Sequence, residues 1–470
     1  MVFAAMAAIG LGCARDRPPP RFRSKRTIVR LEPTPRVERL VTSDDGARYA
    51  WIRGTPDGGC AVTASGITHP TYRECGGRMF TFMRGPGPLV YDARDASGDG
   101  WLVVDGVALA MADVDAGSLV GSRSGRRWAI VAQPAKDTPD GALVIDGAPV
   151  GRWPEVVAPT LSDDDAHAAA IVRTDDGALA LVVDGQERQR YGPGSPPCGD
   201  LPAAPPGLST HVQLRYASDG RLFQVVPDVD GWTVKRDDER VASYTAHVPA
   251  TQSGATASPA CDDQTAVLVG SLVTAERAPV AAWWERVAGD ADDRDLRWRV
   301  RRDDGVVDDQ TCRWPSYGSP ISISPDGRHV GYVCSVGDAG PTAEVYVVLD
   351  GRRFGPYRQA WGLEVAPDGA HVTYAGAAGG GAAPWRVYRD GTPLSHSFWS
   401  IWPPRFTPDG RHVAWEAQDD RDGRGAVGVD GTQVARFDGI LSGPLFPAPD
   451  RVAWVILRGR RVVRLDLGLR

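Results

Sequence analysis

The chain contains no asparagine, and only three of its 53 basic residues are lysine (Lys25, Lys136 and Lys235). Without Asn there is no acceptor for N-glycosylation. Lys and Asn codons are AT-rich, so their scarcity reads as the imprint of a GC-rich genome. No run of eighteen apolar residues occurs, and the sequence offers no internal transmembrane helix. A formal net charge of −6 leaves no basic field for nucleic acid. Catalytic signatures are missing as well: there is no G-x-S-x-G elbow, no H-E-x-x-H and no Walker A loop. No C-x-x-C pair or Cys/His cluster has zinc spacing.

What the chain does have is a phrase repeated with small changes. Residues 324–333 read SPDGRHVGYV, 366–375 read APDGAHVTYA and 407–416 read TPDGRHVAWE, with a worn copy, APDRVAWVIL, at 448–457. Asp326, Asp368, Asp409 and Asp450 are spaced by 42, 41 and 41 residues. After each corner comes an apolar–small–aromatic beat, such as Val372-Thr373-Tyr374 or Val413-Ala414-Trp415, the alternation of a strand buried on one face. A second corner follows in VLDG, YRDG and VDG, at Asp350-Gly351, Asp390-Gly391 and Asp430-Gly431. Asp-Gly between apolar runs is a hairpin signal, because Gly takes φ > 0 freely and Asp bonds its own backbone. The Asp326-Gly327, Asp368-Gly369 and Asp409-Gly410 pairs are read as structural turns in the same way. Degraded copies at 43–52, 122–131, 161–172 and 217–226 carry the pattern back along the chain.

A repeat of this length equals one four-stranded blade. The phrase resembles the PD40 (WD40-like, TolB-like) β-propeller repeat over about residues 43–470, most specifically in the C-terminal third. The expectation is an all-β propeller of eight to ten units spanning 28–470, either one large ring or two smaller ones. Insertions are expected near 192–207, which is Pro-rich, and near 275–297. The last unit lacks a strand, and 27–41 (RTIVRLEPTPRVERL) offers one; by resemblance, such a segment closes the ring and leaves no open edge. TolB's extra α/β domain has no counterpart here, so its partners are not carried over. Prolyl-oligopeptidase-type enzymes need a hydrolase domain that this chain has no room for, and the sialidase Asp-box fails at SPDG.

Residues 1–13 resemble a bacterial lipoprotein signal. MVFAAMAAIGLG is apolar, and Cys13 stands at the switch to a polar, Pro/Arg-rich tether at 14–27. Gly10 occupies the position where that family prefers Leu. The resemblance implies acylation of Cys13 and an extracytoplasmic protein tethered through an N-terminal lipid; Ala14 after the Cys implies outer-membrane sorting. Six cysteines remain, and three disulfides are expected, 60–75 across a turn near Gly66, 198–261 and 312–334. The alternative for Cys60, Cys75, Cys198, Cys261, Cys312 and Cys334 is buried free thiols.

Candidate chemistry is sparse. His167, His329, His371 and His412 share one repeat slot, which marks them as blade packing or hydrogen bonding. Trp283 and Trp284, placed in the 275–297 insertion, offer a loop pair for a sugar or peptide, against packing on their own blade. Asp95, Ser97 and Asp99 stand at calcium-loop positions 1, 3 and 5, but Gly106 occupies position 12 where a bidentate acid belongs. No cofactor is otherwise implied. The leading expectation is a monomeric, non-enzymatic scaffold for a protein, peptide or glycan. The competing expectation is a glycan hydrolase or lyase working in the central channel, marked by non-repeated acids, Arg or His with perturbed pKa.

Overall fold

The structure, a computed structural model, describes residues 22–30, 37–133, 140–191, 212–228, 231–245, 272–287, 297–308, 310–312, 314–315, 321–336, 343–378, 384–419, 424–459 and 461–469. The repeated corners set its plan. In the turn between the first two strands of a unit, the Gly N–H donates back to the residue before the Pro-Asp: Gly327 to Ser324 O at 2.8 Å, Gly369 to Ala366 O at 2.8 Å and Gly410 to Thr407 O at 2.8 Å. These glycines have φ of 70–73°. A side chain at Gly369 would also strike the His329 ring of the preceding unit, with a Cβ only 1.9 Å from Cδ2. In the second corner it is the aspartate that turns left-handed, with φ of 47, 50 and 49° at Asp350, Asp390 and Asp430, a conformation Asp tolerates through local hydrogen bonds.

These corners lay out ten antiparallel sheets in sequence, at 37–72, 74–110, 113–153, 155–190, 213–245, 273–306, 314–357, 359–393, 400–437 and 439–468. They are numbered here blades 1 to 10. Strands within a blade pair in chain order, and successive blades touch chiefly through their first strands, which therefore line the axis. The ring closes twice. Val37–Thr42 of blade 1 meets Gly439–Ala448 of blade 10, and Phe22–Arg30 pairs antiparallel with Arg461–Gly468 as the outer strand of blade 10. Among the described residues there is no helix. The fold is one ten-bladed β-propeller, not two smaller rings.

The core lies between blades. Ile52, Phe80 and Tyr91 fill the space between blades 1 and 2, Trp284, Trp298 and Tyr332 that between 6 and 7, Val387, Phe398 and Trp415 that between 8 and 9, and Leu40, Leu445 and Val455 that between 10 and 1. Each blade thus buries both faces against its neighbours, which is why its strands read as apolar runs.

Three expectations change. Trp283 and Trp284 are not on an insertion: they belong to Ala281–Val287, the second strand of blade 6, and are fully buried. Blade 6 lacks the Pro-Asp-Gly corner and carries an acidic run between its second and third strands, so its strand pattern is hidden. The closing strand starts at Phe22, inside the stretch read as tether, because pairing to Arg461–Gly468 satisfies its backbone regardless of its basic side chains. The second half of 27–41 does not supply the outer strand of blade 10 but opens blade 1. Cys13, Cys198, Cys261 and the 192–207 insertion lie outside the described residues.

Candidate binding site on the wall of blade 9

One device is repeated around the ring. The aspartate of the second corner accepts the first amide of its blade's second strand through Oδ1: Asp105 from Leu89, Asp146 from Trp128, Asp184 from Ala168, Asp350 from Val330, Asp390 from Val372 and Asp430 from Val413, all at 2.8–3.0 Å. Its Oδ2 holds the repeated histidine at Nδ1: His167–Asp184 2.8 Å, His329–Asp350 2.7 Å, His371–Asp390 2.5 Å and His412–Asp430 2.8 Å. In blade 3 the guanidinium of Arg127 takes the histidine's place, Nε to Asp146 Oδ2 at 2.9 Å. The four histidines thus fasten one corner to the other, and nothing in their geometry is singular. The first-corner aspartates are spent in their own turns; Asp326 Oδ1 accepts from Ser324 Oγ at 2.6 Å and the Arg328 amide at 3.1 Å.

Asp95 is spent likewise. Its Oδ1 accepts from the Ser97 and Asp99 amides, both at 2.9 Å, and its Oδ2 from Trp101 Nε1 at 3.1 Å. The stretch is a hairpin turn that uses its own carboxylate, which explains the spacing without a cation. Among the described residues two disulfides are formed, Cys60–Cys75 and Cys312–Cys334. Such pairs persist in oxidising compartments, so they are compatible with an extracytoplasmic location.

Both kinds of corner lie on one face of the ring. The loops joining second to third strands, and the connections between blades, lie on the other. From that second face the innermost strand of blade 9 descends as Phe398-Trp399-Ser400-Ile401-Trp402-Pro403-Pro404-Arg405-Phe406. It is broken into Ser400–Ile401 and Arg405–Phe406, both paired with Val413–Gln418, and Trp402-Pro403-Pro404 bulges between them. The bulge frees Trp402 from the alternation that would bury it. Trp399 and Trp402 are 43% and 42% exposed. No other tryptophan whose side chain the structure describes is exposed.

Charged and polar groups follow the same strip. At its mouth His396 packs on Phe398 and stands 3.9 Å from Asp419, which also binds Arg436 at 2.5 Å. Deeper, Arg405 Nε meets Glu364 of blade 8 at 3.2 Å, and Glu364 accepts the Phe406 amide at 2.7 Å. Burial still pushes the Glu364 carboxyl above its usual range, against the pull of Arg405. Beneath the bulge lies Glu416. It is only 4% exposed, burial alone holds its carboxyl well above the ordinary value, and its Oε1 has no hydrogen-bond partner.

Glu416 is an exception to the repeat. The amide of the second-corner residue bonds the carbonyl of the second strand's first residue in every blade from 1 to 9, which fixes the alignment. Three residues on from that carbonyl, the other blades place Ile52, Val131, Ile171, Val225 and Val333, or Trp284 and Ala375. Only blades 2 and 9 place an acid there, Asp92 and Glu416. No sequence motif marks Glu416, and Trp399 and Trp402 are marked only by a Trp-x-x-Trp-Pro-Pro spelling found in no other unit.

No family model matches the chain, and no curated protein matches it in sequence. Solved structures resemble it in fold. A eukaryotic initiation factor is 10% identical with a TM-score of 0.44, covering 90% of both chains. The β-propeller domain of the Trilobed protease from Pyrococcus furiosus is 8% identical with a TM-score of 0.31, covering 75% of this chain and 94% of its own. TolB from Acinetobacter baumannii is 11% identical with a TM-score of 0.25, covering 83% of this chain and 80% of its own. The propeller that the PD40 resemblance implied is the fold the chain adopts.

Proposed function

We propose that this protein is a non-enzymatic, extracytoplasmic binding module that holds a glycan along the inner wall of blade 9, tethered to the envelope by a lipid on Cys13. The observation that carries this reading is the exposure of Trp399 and Trp402, where every other tryptophan with a described side chain is buried or half-buried. An exposed indole offers an apolar plane to the C–H face of a pyranose, and the acids and Arg405 beside it suit the ring's hydroxyl edge. The test is tryptophan-fluorescence titration with cellohexaose, maltohexaose and chitohexaose. Wild type is expected to bind at least one of them, and Trp402→Ala to weaken that binding tenfold or more. A wild type that ignores all three while capturing a Pro-rich peptide, or a Trp402→Ala variant that binds as wild type does, refutes the glycan reading. In the same preparation Cys13→Ala is expected to leave the membrane fraction; a wild type that is already soluble refutes the anchor.

A second reading has its own observation: Glu364 and Glu416, on neighbouring blades, both have carboxyls raised by burial. On that reading the bound glycan is cleaved, and chromatographic sizing after incubation shows shortened products that Glu416→Gln fails to make.

A further inference from the structure

We propose that the seam between blades 9 and 10 is a hydroxyl subsite, in which Glu416 and the Trp454 indole bracket a single oxygen, water in the free protein and a ligand hydroxyl in the complex. The proposal rests on the glycan reading above and names the group that the site selects.

Blade 2 holds the matching acid. Asp92 lies under a first-strand bulge that spells Gly76-Gly77-Arg78-Met79, and it accepts the Arg78 amide at 3.1 Å and the Met79 amide at 2.7 Å through Oδ1. A carboxylate under a bulge is satisfied there by bulge N–H groups. In blade 9 the bulge is Trp402-Pro403-Pro404. Proline has no N–H, and the one amide left, that of Trp402, donates to the main-chain carbonyl of Glu416 at 3.0 Å. The prolines therefore remove the donors that would pair this acid. Glu285, another buried acid outside the repeat pattern, shows the contrast: it accepts from Tyr244 Oη at 2.8 Å and is flanked by Arg299 and Arg301.

Across the seam stands a second unpaired group. Trp454 is fully buried and its Nε1–H has no partner. Both groups converge on Gly443, in the first strand of blade 10. A Cβ on Gly443 would lie 3.0 Å from Glu416 Oε1 and 2.7 Å from Trp454 Cδ1, the atom bonded to Nε1. A buried acid oxygen and the edge of a buried indole meet at one glycine, and the unpartnered polar atoms of the two call for a polar atom between them.

The chemistry of that atom follows from the pair. An indole N–H only donates. An ammonium cannot accept from it, and a carbonyl oxygen suits the site only while the acid carries its proton. A hydroxyl accepts from Trp454 and either donates to or accepts from Glu416, so it fits both forms of the acid. In a glycan stacked on Trp402, a ring hydroxyl is the group at hand.

The experiment uses the full-length protein. In the infrared difference between wild type and Glu416→Gln at pH 4, the carboxylic-acid C=O band of Glu416 is expected to shift in Trp454→Phe, and to shift again when wild type is saturated with whichever of the three hexasaccharides it binds. Glu416→Gln keeps a polar partner and should bind within about threefold of wild type. Glu416→Leu should weaken binding tenfold or more, and Trp454→Phe, which keeps an aromatic ring but removes the N–H, reports the same loss should the Leu variant fail to fold. Binding by wild type should stay level between pH 5 and pH 8; a fall across that range assigns a carbonyl and overturns the hydroxyl. A band indifferent to Trp454→Phe, or Glu416→Leu binding as wild type does, also overturns the subsite while Trp402→Ala still tests the glycan reading. If the band shifts in Trp454→Phe but no hexasaccharide binds, the glycan reading fails and the ligand half of this inference falls with it.

Discussion

Replacing Asp430 by alanine tests the corner-to-corner fastening directly. Asp430 Oδ1 accepts the Val413 amide at 3.0 Å, and Val413 is fully buried at the start of the second strand of blade 9. Truncation leaves that amide without an acceptor, at a cost of about 1–3 kcal/mol. It also puts alanine at φ 49°, where a Cβ-bearing residue without local hydrogen bonds loses about 1–2 kcal/mol. The His412 ring loses its partner as well. The sum is about 3 kcal/mol, or about a hundredfold rise in local opening. Hydrogen exchange at the Val413 amide, read by mass spectrometry, measures that rise. Asp430→Asn keeps an acceptor oxygen and tolerates the left-handed conformation, so it should cost less than about 1 kcal/mol. An alanine variant with unchanged protection, or an asparagine variant as damaged as the alanine one, would refute the assignment of Asp430 as the acceptor that anchors the strand.

Two further outcomes follow from the same geometry. The Glu416 carboxyl sits above its ordinary value of 4.5, so the native state holds a proton that the unfolded chain has released. Arg405 is engaged by Glu364, and across the seam Glu416 meets Gly443 beside Trp454, neither of which carries a charge. Relative to Glu416→Gln, wild type should therefore lose about 1.4 kcal/mol per pH unit as pH rises above about 4.5, until Glu416 itself ionises in the fold; parallel urea-midpoint curves for the two proteins between pH 4 and pH 9 would sink this. Opening the Cys60–Cys75 bridge, which closes a separation of 15 residues, should cost about 3 kcal/mol by loop entropy, measured as the difference in denaturation between the native protein and a Cys60→Ala/Cys75→Ala variant, with no difference counting against the bridge.

Most of the fold was legible because the corners are local. Asp409-Gly410 and Asp430-Gly431 announce their turns within four residues, and forty residues of period do the rest. The histidine slot was visible too, but its partner was not, since His412 and Asp430 are 18 residues apart and meet only when the second hairpin folds back. Blade 6 escaped because Trp283 and Trp284 have no Pro-Asp-Gly before them. The exposed indoles escaped for another reason. Strand alternation puts residues three apart on opposite faces, and a bulge, whose place depends on the partner strand, breaks that parity. Glu416 was least legible of all. Its lack of partners is set by prolines twelve and thirteen residues earlier and by a glycine 27 residues later, on three different strands.

The division of labour between the two faces of the ring follows from this. On the corner face Asp184, Asp350, Asp390 and Asp430 each have a fixed pair of duties, an amide and a ring nitrogen, and a change at any of them costs a strand anchor. Sequence there is held to the repeat by stability alone, so departures such as Arg127 for histidine keep the bond and change only the donor. The inner wall is under no such demand. A first-strand bulge needs only backbone room, which Gly76 and Gly77 supply in blade 2, so its side chains are free to vary. Blade 9 uses that freedom to place an indole and two prolines over an acid, a combination that costs hydrogen bonds. A costly departure at a position that seven of the other blades fill with an apolar side chain has no reason in the packing. That is why the wall of blade 9, and not the repeated histidines or aspartates, is where a ligand is to be sought.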